Sequence, residues 1–363
     1  MYLDKVNDVY NDNFALQYRA TFIMPKIRLK QILFYLPLLA LVSCINDKKH
    51  PDVTDIDVSI KIDRFEQDLF KADTSNLIST SKNLKAKYPD FYSIYFRNIL
   101  RNPDPVDTNN LQLIKMIRVN HDFNILKHDV DSVYPDLKDV EKQLTDAFKY
   151  YKYYFPQGKV PQVISYIADF QLGASTVNNT LAIELDLFMG QGYRFYQSKN
   201  VNFPTFIQRK LNKDHITATA MKAFAQQLFE LDETDKTLLH RMIYQGKLLY
   251  FMDSVLPDAP DSIKIGFSQK QLDWCNTYKA DVWTEFLNQG VLYSTDELKY
   301  AKYLNDAPFT SGLNNDSAPM LGVWFGWQIV RKYMDENPDI TLAQLMNEAD
   351  SQKILKGSKY KPK

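Results

Sequence analysis

Hydrophobic and polar positions alternate from Ile56 to Ile62, where Ile56, Val58, Ile60 and Ile62 are separated by Asp57, Ser59 and Lys61. A period of two predicts a half-buried strand. Phe65, Leu69 and Phe70 then switch to helical spacing. Asp73 and Thr74 can cap a helix carrying Leu77, Leu84 and Tyr88, with Pro89 as its stop. A helix over Phe91–Leu100 breaks at Asn102-Pro103-Asp104-Pro105, and another covers Asn110–Val119. The clearest helix opens at Pro135. Leu137, Val140, Leu144, Phe148, Tyr151 and Phe155 form one apolar stripe, which reads as core, and Pro156 stops it. Val160–Phe170 and Thr180–Leu187 read as two strands around a loop, Gln171–Asn179, holding the turn formers Gly173, Ser175, Asn178 and Asn179. Helices follow over Ile216–Leu231, Asp235–Ser254, Ser268–Asn288 and Pro319–Glu336. Gly322 and Gly326, one turn apart on the last of these, permit a close backbone approach, while Trp324, Phe325 and Trp327 supply bulk. A few strands followed by many helices predict an α+β fold, predominantly helical with a small sheet.

Ahead of these elements the pattern is of another kind. Lys26, Arg28 and Lys30 precede an apolar run, Ile32 to Leu41, that ends in Leu41-Val42-Ser43-Cys44. Basic residues, a short apolar run and a small residue make a secretory signal. The run is too short to span a bilayer, which takes roughly 20 apolar residues. Cys44 after Leu-Val-Ser resembles the lipobox of bacterial lipoproteins, and that resemblance implies a lipidated Cys44 as the first mature residue, a membrane anchor. An ordinary buried cysteine at the end of an apolar helix is the alternative. Met1 to Ile23 is polar and mixed in charge, unlike a signal, so translation is expected to start at Met24. The chain thus divides into a signal region, 1–43, a lipidated cysteine and tether, 44–55, and a single globular domain, 56–363.

Composition narrows the function classes. The roughly 320 residues from Cys44 onward are enough for a sizeable core. Lys plus Arg and Asp plus Glu are 44 each, so the basic excess of a nucleic-acid surface is missing. The chain carries 23 Tyr and 22 Phe against 11 Gly, which favours packed cores or interfaces. Cys275 is the one cysteine after Cys44, so no internal disulfide is expected.

Candidate chemistry is sparse. The five histidines, His50, His121, His128, His215 and His240, include no pair at the four-residue spacing of a zinc helix. His121 and His128 lie two turns apart, but Asp122, Asn124, Asp129 and Asp131 around them read as a polar surface. His215 reads as part of a helix start, and His240 as a satisfied structural histidine. No G-x-S-x-G elbow and no glycine-rich phosphate loop occurs. Cys275, flanked by Trp274, reads as buried and inert. Neither a metal nor another cofactor is expected. Glu184 and Asp186 fall on one face of a strand. They read first as its solvent face, with a paired acid site as the alternative. On the helix after Met242, Gly246, Tyr250 and Asp253 share a side, and Lys247, Tyr250 and Asp253 are spaced to hydrogen-bond with one another. A tightly packed helix is the preferred reading over a ligand site.

Several blocks in order resemble the gliding-motility lipoprotein family GldB of Bacteroidota. They include Ile62-Asp63-Arg64-Phe65, Tyr88-Pro89-Asp90-Phe91, Tyr166-Ile167-Ala168-Asp169-Phe170, Ile183-Glu184-Leu185-Asp186, Ile243-Tyr244-Gln245-Gly246-Lys247, Ala307-Pro308-Phe309-Thr310 and Gly322-Val323-Trp324-Phe325-Gly326-Trp327. The resemblance implies a cell-envelope lipoprotein needed for gliding, linked to the machinery that moves and secretes surface adhesins. The fold of that family also looks similar to predicted zinc peptidases, in which an H-E-x-x-H helix precedes a helix with a glutamate ligand followed by glycine. Here Gln245-Gly246 takes the latter place, and Met221-Lys222-Ala223-Phe224-Ala225 the former. Glutamine, methionine and alanine are poor zinc ligands, so the resemblance implies a degenerate zinc-peptidase-like scaffold without its metal.

The expected function is therefore a non-enzymatic envelope protein, lipid-anchored to a membrane, that binds or supports other gliding-machinery proteins. The alternative is an envelope hydrolase with an unconventional site around Glu184, Asp186, Lys247, Tyr250 and Asp253. With Gln245 these residues form the expected vestigial pocket. A hydrolase requires them to converge in one open pocket, whereas a binding protein needs an exposed aromatic patch. Cys44→Ala should abolish fatty-acid incorporation and release the protein from its membrane fraction. Equal metabolic labelling of wild type and variant would remove the lipoprotein reading.

Overall fold

The computed structural model describes residues 50–102, 107–198 and 202–363. The signal region, Met24, Cys44 and the tether as far as Lys49 lie outside the described residues, as does the break at Pro103–Pro105. Four short strands form one sheet: β1 (Ile62–Arg64), β2 (Gln162–Tyr166), β3 (Ala174–Val177) and β4 (Thr180–Glu184), in the order β1-β2-β4-β3. β1, β2 and β4 are parallel, and β3 runs antiparallel to β4. The long helices are α1 (Phe65–Lys71), α2 (Leu77–Lys87), α3 (Pro89–Ile94), α4 (Asp107–Val119), α5 (His121–Val133), α6 (Lys138–Tyr154), α7 (Ile216–Leu228), α8 (Leu238–Val255), α9 (Gln269–Asn288), α10 (Leu321–Glu336) and α11 (Ser351–Ser358). The fold is α+β, mostly helical with a small mixed sheet, and Pro51–Lys363 gathers into one compact unit.

The departures from the sequence pattern have local causes. The alternating run before Ile62 keeps its in-out burial, but only Ile62–Arg64 joins the sheet. Upstream, the Ile60 N–H donates to Thr145 Oγ1 at 3.0 Å and the Ile62 N–H to Glu141 Oε1 at 2.9 Å. Side chains of α6 thus take the place of a neighbouring strand. The expected loop Gln171–Asn179 contains the edge strand β3, closed onto β4 by Asn178-Asn179 with Asn178 in the left-handed region at φ 53°. No residue of β3 is fully buried, so hydrophobic patterning has nothing to report there. Asn76, not Asp73 or Thr74, caps α2 by accepting from the Ser79 N–H. Pro89 opens α3 rather than merely ending α2, since a first-turn proline forfeits no helical hydrogen bond. A π-helical turn, Tyr95–Ile99, continues α3.

Alternation along β2 and β4 sends side chains into two cores. Val163, Leu181 and Ile183 join the main core with α6, α7, α8 and α10. Ile164, Tyr166 and Ala182 face a smaller, aromatic core with Phe65, Tyr88, Phe91, Tyr92, Tyr95 and Phe96. The Phe65 ring meets Tyr88 and Phe91 edge-on, at centroid distances of 5.0 and 5.1 Å. The main core is organised by α8 crossing α10. A Cβ on Gly326 would lie 1.9 Å from the Met242 carbonyl oxygen, and one on Gly246 2.2 Å from that of Gly326. Only glycine fits this crossing. Gly246→Ala and Gly326→Ala should each cost about 1–3 kcal/mol through overpacking, and Gly246→Leu more. Urea unfolding checks this, and an unchanged midpoint for either alanine variant would refute the close crossing.

Candidate functional site

β4 ends at Glu184, and the 3-10 turn that follows carries Asp186. Both are fully buried, so the strand's solvent face is not where they lie. The expectation failed because the strand is covered on both sides: the second core buries the face that alternation had left polar. The two carboxylates hold the loop leaving β2. Glu184 accepts from the backbone N–H groups of Gln171, Leu172 and Gly173 at 2.6, 2.5 and 3.1 Å. Asp186 accepts from the Phe170 N–H at 3.1 Å and, at 3.4 Å, from that of Ala168. The Tyr95 hydroxyl donates to the Ile167 carbonyl at 2.9 Å. So restrained, Asp169 and Phe170 sit consecutively in the left-handed region, at φ 62° and 65°. Two adjacent non-glycine residues there store strain, of order 1–3 kcal/mol each, that surrounding contacts must hold.

Burial pushes the Glu184 carboxyl up, against the three amides that favour its charge. Burial and then the Glu184 charge push Asp186 well above the usual carboxylate range. The Tyr166 and Tyr95 hydroxyls are also pushed up, first by burial and then by these carboxylates, and remain protonated.

The strained loop forms part of a cavity of about 400 Å³. Phe123, Phe170 and Phe195 are its aromatic walls, and Asn120, Asp122 and Asp169 its polar groups. The Phe170 ring is set by Tyr196 and Tyr193, at 5.5 and 6.3 Å. Asp169 is raised by partial burial and then by Asp122. Two carboxylates of like charge beside aromatic rings favour a cationic or hydrogen-bond-donating group. The cavity lies past the carboxyl end of β2, since Asp169 and Phe170 closely follow Tyr166 in the chain. The sequence reading does not single out Asp122 or Asp169 as site residues. Asp169 precedes an aromatic at the end of a strand, which alone is no signal for a left-handed turn.

The other expected site residues do not join Glu184 and Asp186. Lys247 donates to the Met346 and Glu348 carbonyls, each at 3.0 Å, at the end of the short helix Leu342–Asn347. Burial lowers its pKa. Asp253 accepts from Arg331, Lys264 and the Trp327 indole at 2.7–2.9 Å, and Arg331 also pairs with Asp261 at 2.8 Å. The Arg331 guanidinium lies 3.7 Å from the Trp327 ring centroid. Tyr250 is pushed up to about 12 by burial and then by Asp253. Lys247 and Asp253 take these partners in place of the expected hydrogen bonds with one another and with Tyr250, because neighbouring elements reach them first. Gln245 is half-buried beside the Gly246 crossing.

Met221 and Ala225 are buried in the main core. His240 is a satisfied structural histidine, with Ser351 Oγ at 3.0 Å and the Asp232 carbonyl at 2.9 Å. His128 is exposed, 3.7 Å from Asp129. Cys275 is buried, and burial pushes its thiol up to about 12. Among the described residues, no three His, Cys, Asp or Glu side chains are grouped to hold a metal ion.

Residues 46–362 match the family described as Gliding motility protein GldB. The chain belongs to the GldB family. Its role is therefore in gliding motility. No curated protein and no solved structure matches the chain. The buried carboxylate pair of this GldB domain lies within the matched region, as does Asp169. No described helix is long and apolar enough to cross a membrane.

The raised pair sets a sign for pH dependence. A folded-state pKa above the unfolded value means that the folded protein binds protons more readily, so stability from the pair is full below the unfolded value, near 4, and is lost as pH rises through the folded value. Asp186→Asn should remove that slope. As pH rises above the unfolded value, wild type should lose stability relative to the variant in urea unfolding. Parallel stability curves would contradict the raised Asp186 carboxyl.

Proposed function

We propose that this chain is a lipid-anchored envelope protein that supports gliding by binding a component of the gliding or secretion machinery, not by catalysis. The observation that carries the reading is the strained Asp169-Phe170 loop, fixed by buried carboxylates and presented into an aromatic, acidic cavity. A rigidly held loop binds without an ordering cost. Against a hydrolase stand the separate partner sets of Glu184, Lys247 and Asp253. A catalytic constellation needs its groups within reach of one reacting atom. Met221, Ala225 and Gln245, where the resemblance to zinc peptidases would place metal ligands, supply neither imidazole nor carboxylate. The anchor at Cys44 would hold the domain at a membrane surface.

Chromosomal substitutions test the reading. Asp169→Ala should abolish or sharply reduce gliding at normal protein abundance, while Gln245→Glu should glide like wild type. Normal gliding by Asp169→Ala would remove the cavity from the function. The purified protein should carry no stoichiometric zinc by elemental analysis, and one tightly held zinc together with peptide cleavage would replace the binding role with a hydrolase.

A further inference from the structure

A second cavity, of about 530 Å³, lies between α6, the start of α7 and the segment that follows α8. That volume is within the range of ligand-binding clefts. Its floor is apolar, with Ala147, Ala218, Leu256 and Ile263, and Tyr150 stands at its side. Its rim is acidic: Asp146, Asp214 and Asp258 line the opening and all three are exposed. Asp146 is paired with the exposed Lys142 at 2.7 Å. Pro257 and Pro260 bracket Asp258, so this part of the rim is stiff.

The cavity also has a particular address. The Thr54 carbonyl accepts from Lys149 Nζ at 3.4 Å, on the helix that carries Tyr150. The Tyr150 hydroxyl is pushed up by burial and then by Asp258, Asp146 and Asp52, so the first residues of the domain lie beside the rim. Cys44 precedes Pro51 by seven residues, a span of at most about 25 Å when extended. A cavity beside Asp52 therefore opens close to the membrane, a step that rests on the anchor reading.

We propose that this cavity docks a basic, apolar segment of a membrane-bound partner polypeptide. Charge complementarity favours lysine or arginine at the rim, and their aliphatic stems suit an apolar floor. With Asp146 already paired to Lys142, Asp214 and Asp258 still present two carboxylates, more than a single lipid ammonium pairs with, and they repel anionic headgroups. A peptide with several cations meets both conditions.

The test uses the full chain purified in detergent. Fluorescence anisotropy is read with a labelled peptide alternating leucine and tryptophan with lysine, and with the same peptide carrying glutamate for lysine. The lysine peptide should bind and the glutamate peptide should not. Asp214→Lys and Asp258→Lys should each weaken binding about tenfold or more, while Asp90→Lys, on α3, should leave it unchanged. Equal thermal unfolding of the variants excludes misfolding. Absence of lysine-peptide binding, or equal binding by all variants, would overturn the proposal. So would vesicles of phosphatidylethanolamine displacing the peptide, which would assign the cavity to lipid. Cys44→Ala protein should bind the peptide like wild type in detergent, so failure of the anchor and failure of the docking site are read separately.

Discussion

Five backbone amides between Ala168 and Gly173 end on two buried carboxylates, and the sheet's working end follows from that arrangement. A buried amide without an acceptor costs about 1–3 kcal/mol, and a buried carboxylate without donors costs more. Each problem resolves the other. Glu184 and Asp186 can stay inside because the loop offers N–H groups, and the loop can hold Asp169 and Phe170 at positive φ because the carboxylates fix its path. The aromatic core seals the arrangement from water, with Tyr95 tied to the Ile167 carbonyl. Raised pKa values are the residue of that compromise, since the amides offset only part of the desolvation.

The helical body solves a similar problem differently. α8 and α10 cross at Gly246 and Gly326 with backbone in contact, which brings Asp253 of one against Trp327 and Arg331 of the other. Asp253 and Asp261 together face Arg331 and Lys264, so each partly buried charge has an opposite. Removing one partner would leave the others unmatched, which is why such a network fixes a crossing even where its net contribution to stability is small. The polar residues that look chemically promising on α8 are thus spent on joining helices. A lysine and an aspartate spaced along one helix do not make a site when other elements satisfy both of them.

The family match and the two cavities address different questions. Membership in the GldB family assigns the chain to gliding motility. The cavities bear on how it would act. One is framed by a strained loop and aromatic rings, the other by an acidic rim over an apolar floor. Both are suited to donors and cations rather than to anions, although the chain as a whole carries equal numbers of acidic and basic residues. Local charge asymmetry on a neutral protein directs a partner to one face without drawing polyanions to the rest.

By itself the sequence determined the class of fold and most of the long helices, but not α5 or α11, which no expectation covered. α6 shows an apolar stripe and end signals of ordinary kind, because it buries one face and its period survives in the residues, whereas α8 has no exposed position and carries no such stripe. The sequence also pointed to Gly246 and Gly326 as places of close approach. What only the tertiary structure decided was which polar residues are inside. Glu184 and Asp186 read as a solvent face because alternation assumes one covered side, whereas this strand is packed on both. Gln171–Asn179 was expected as a loop but holds β3, and Ile56–Ile62 was expected as a strand but joins the sheet only at Ile62, because their partners are a hairpin edge and the side chains of α6. Asp169 and Asp122 come together from a strand end and a helix start, 47 positions apart in the chain. No periodicity encodes such a meeting, since it depends on the register of the sheet and the packing of helices against it.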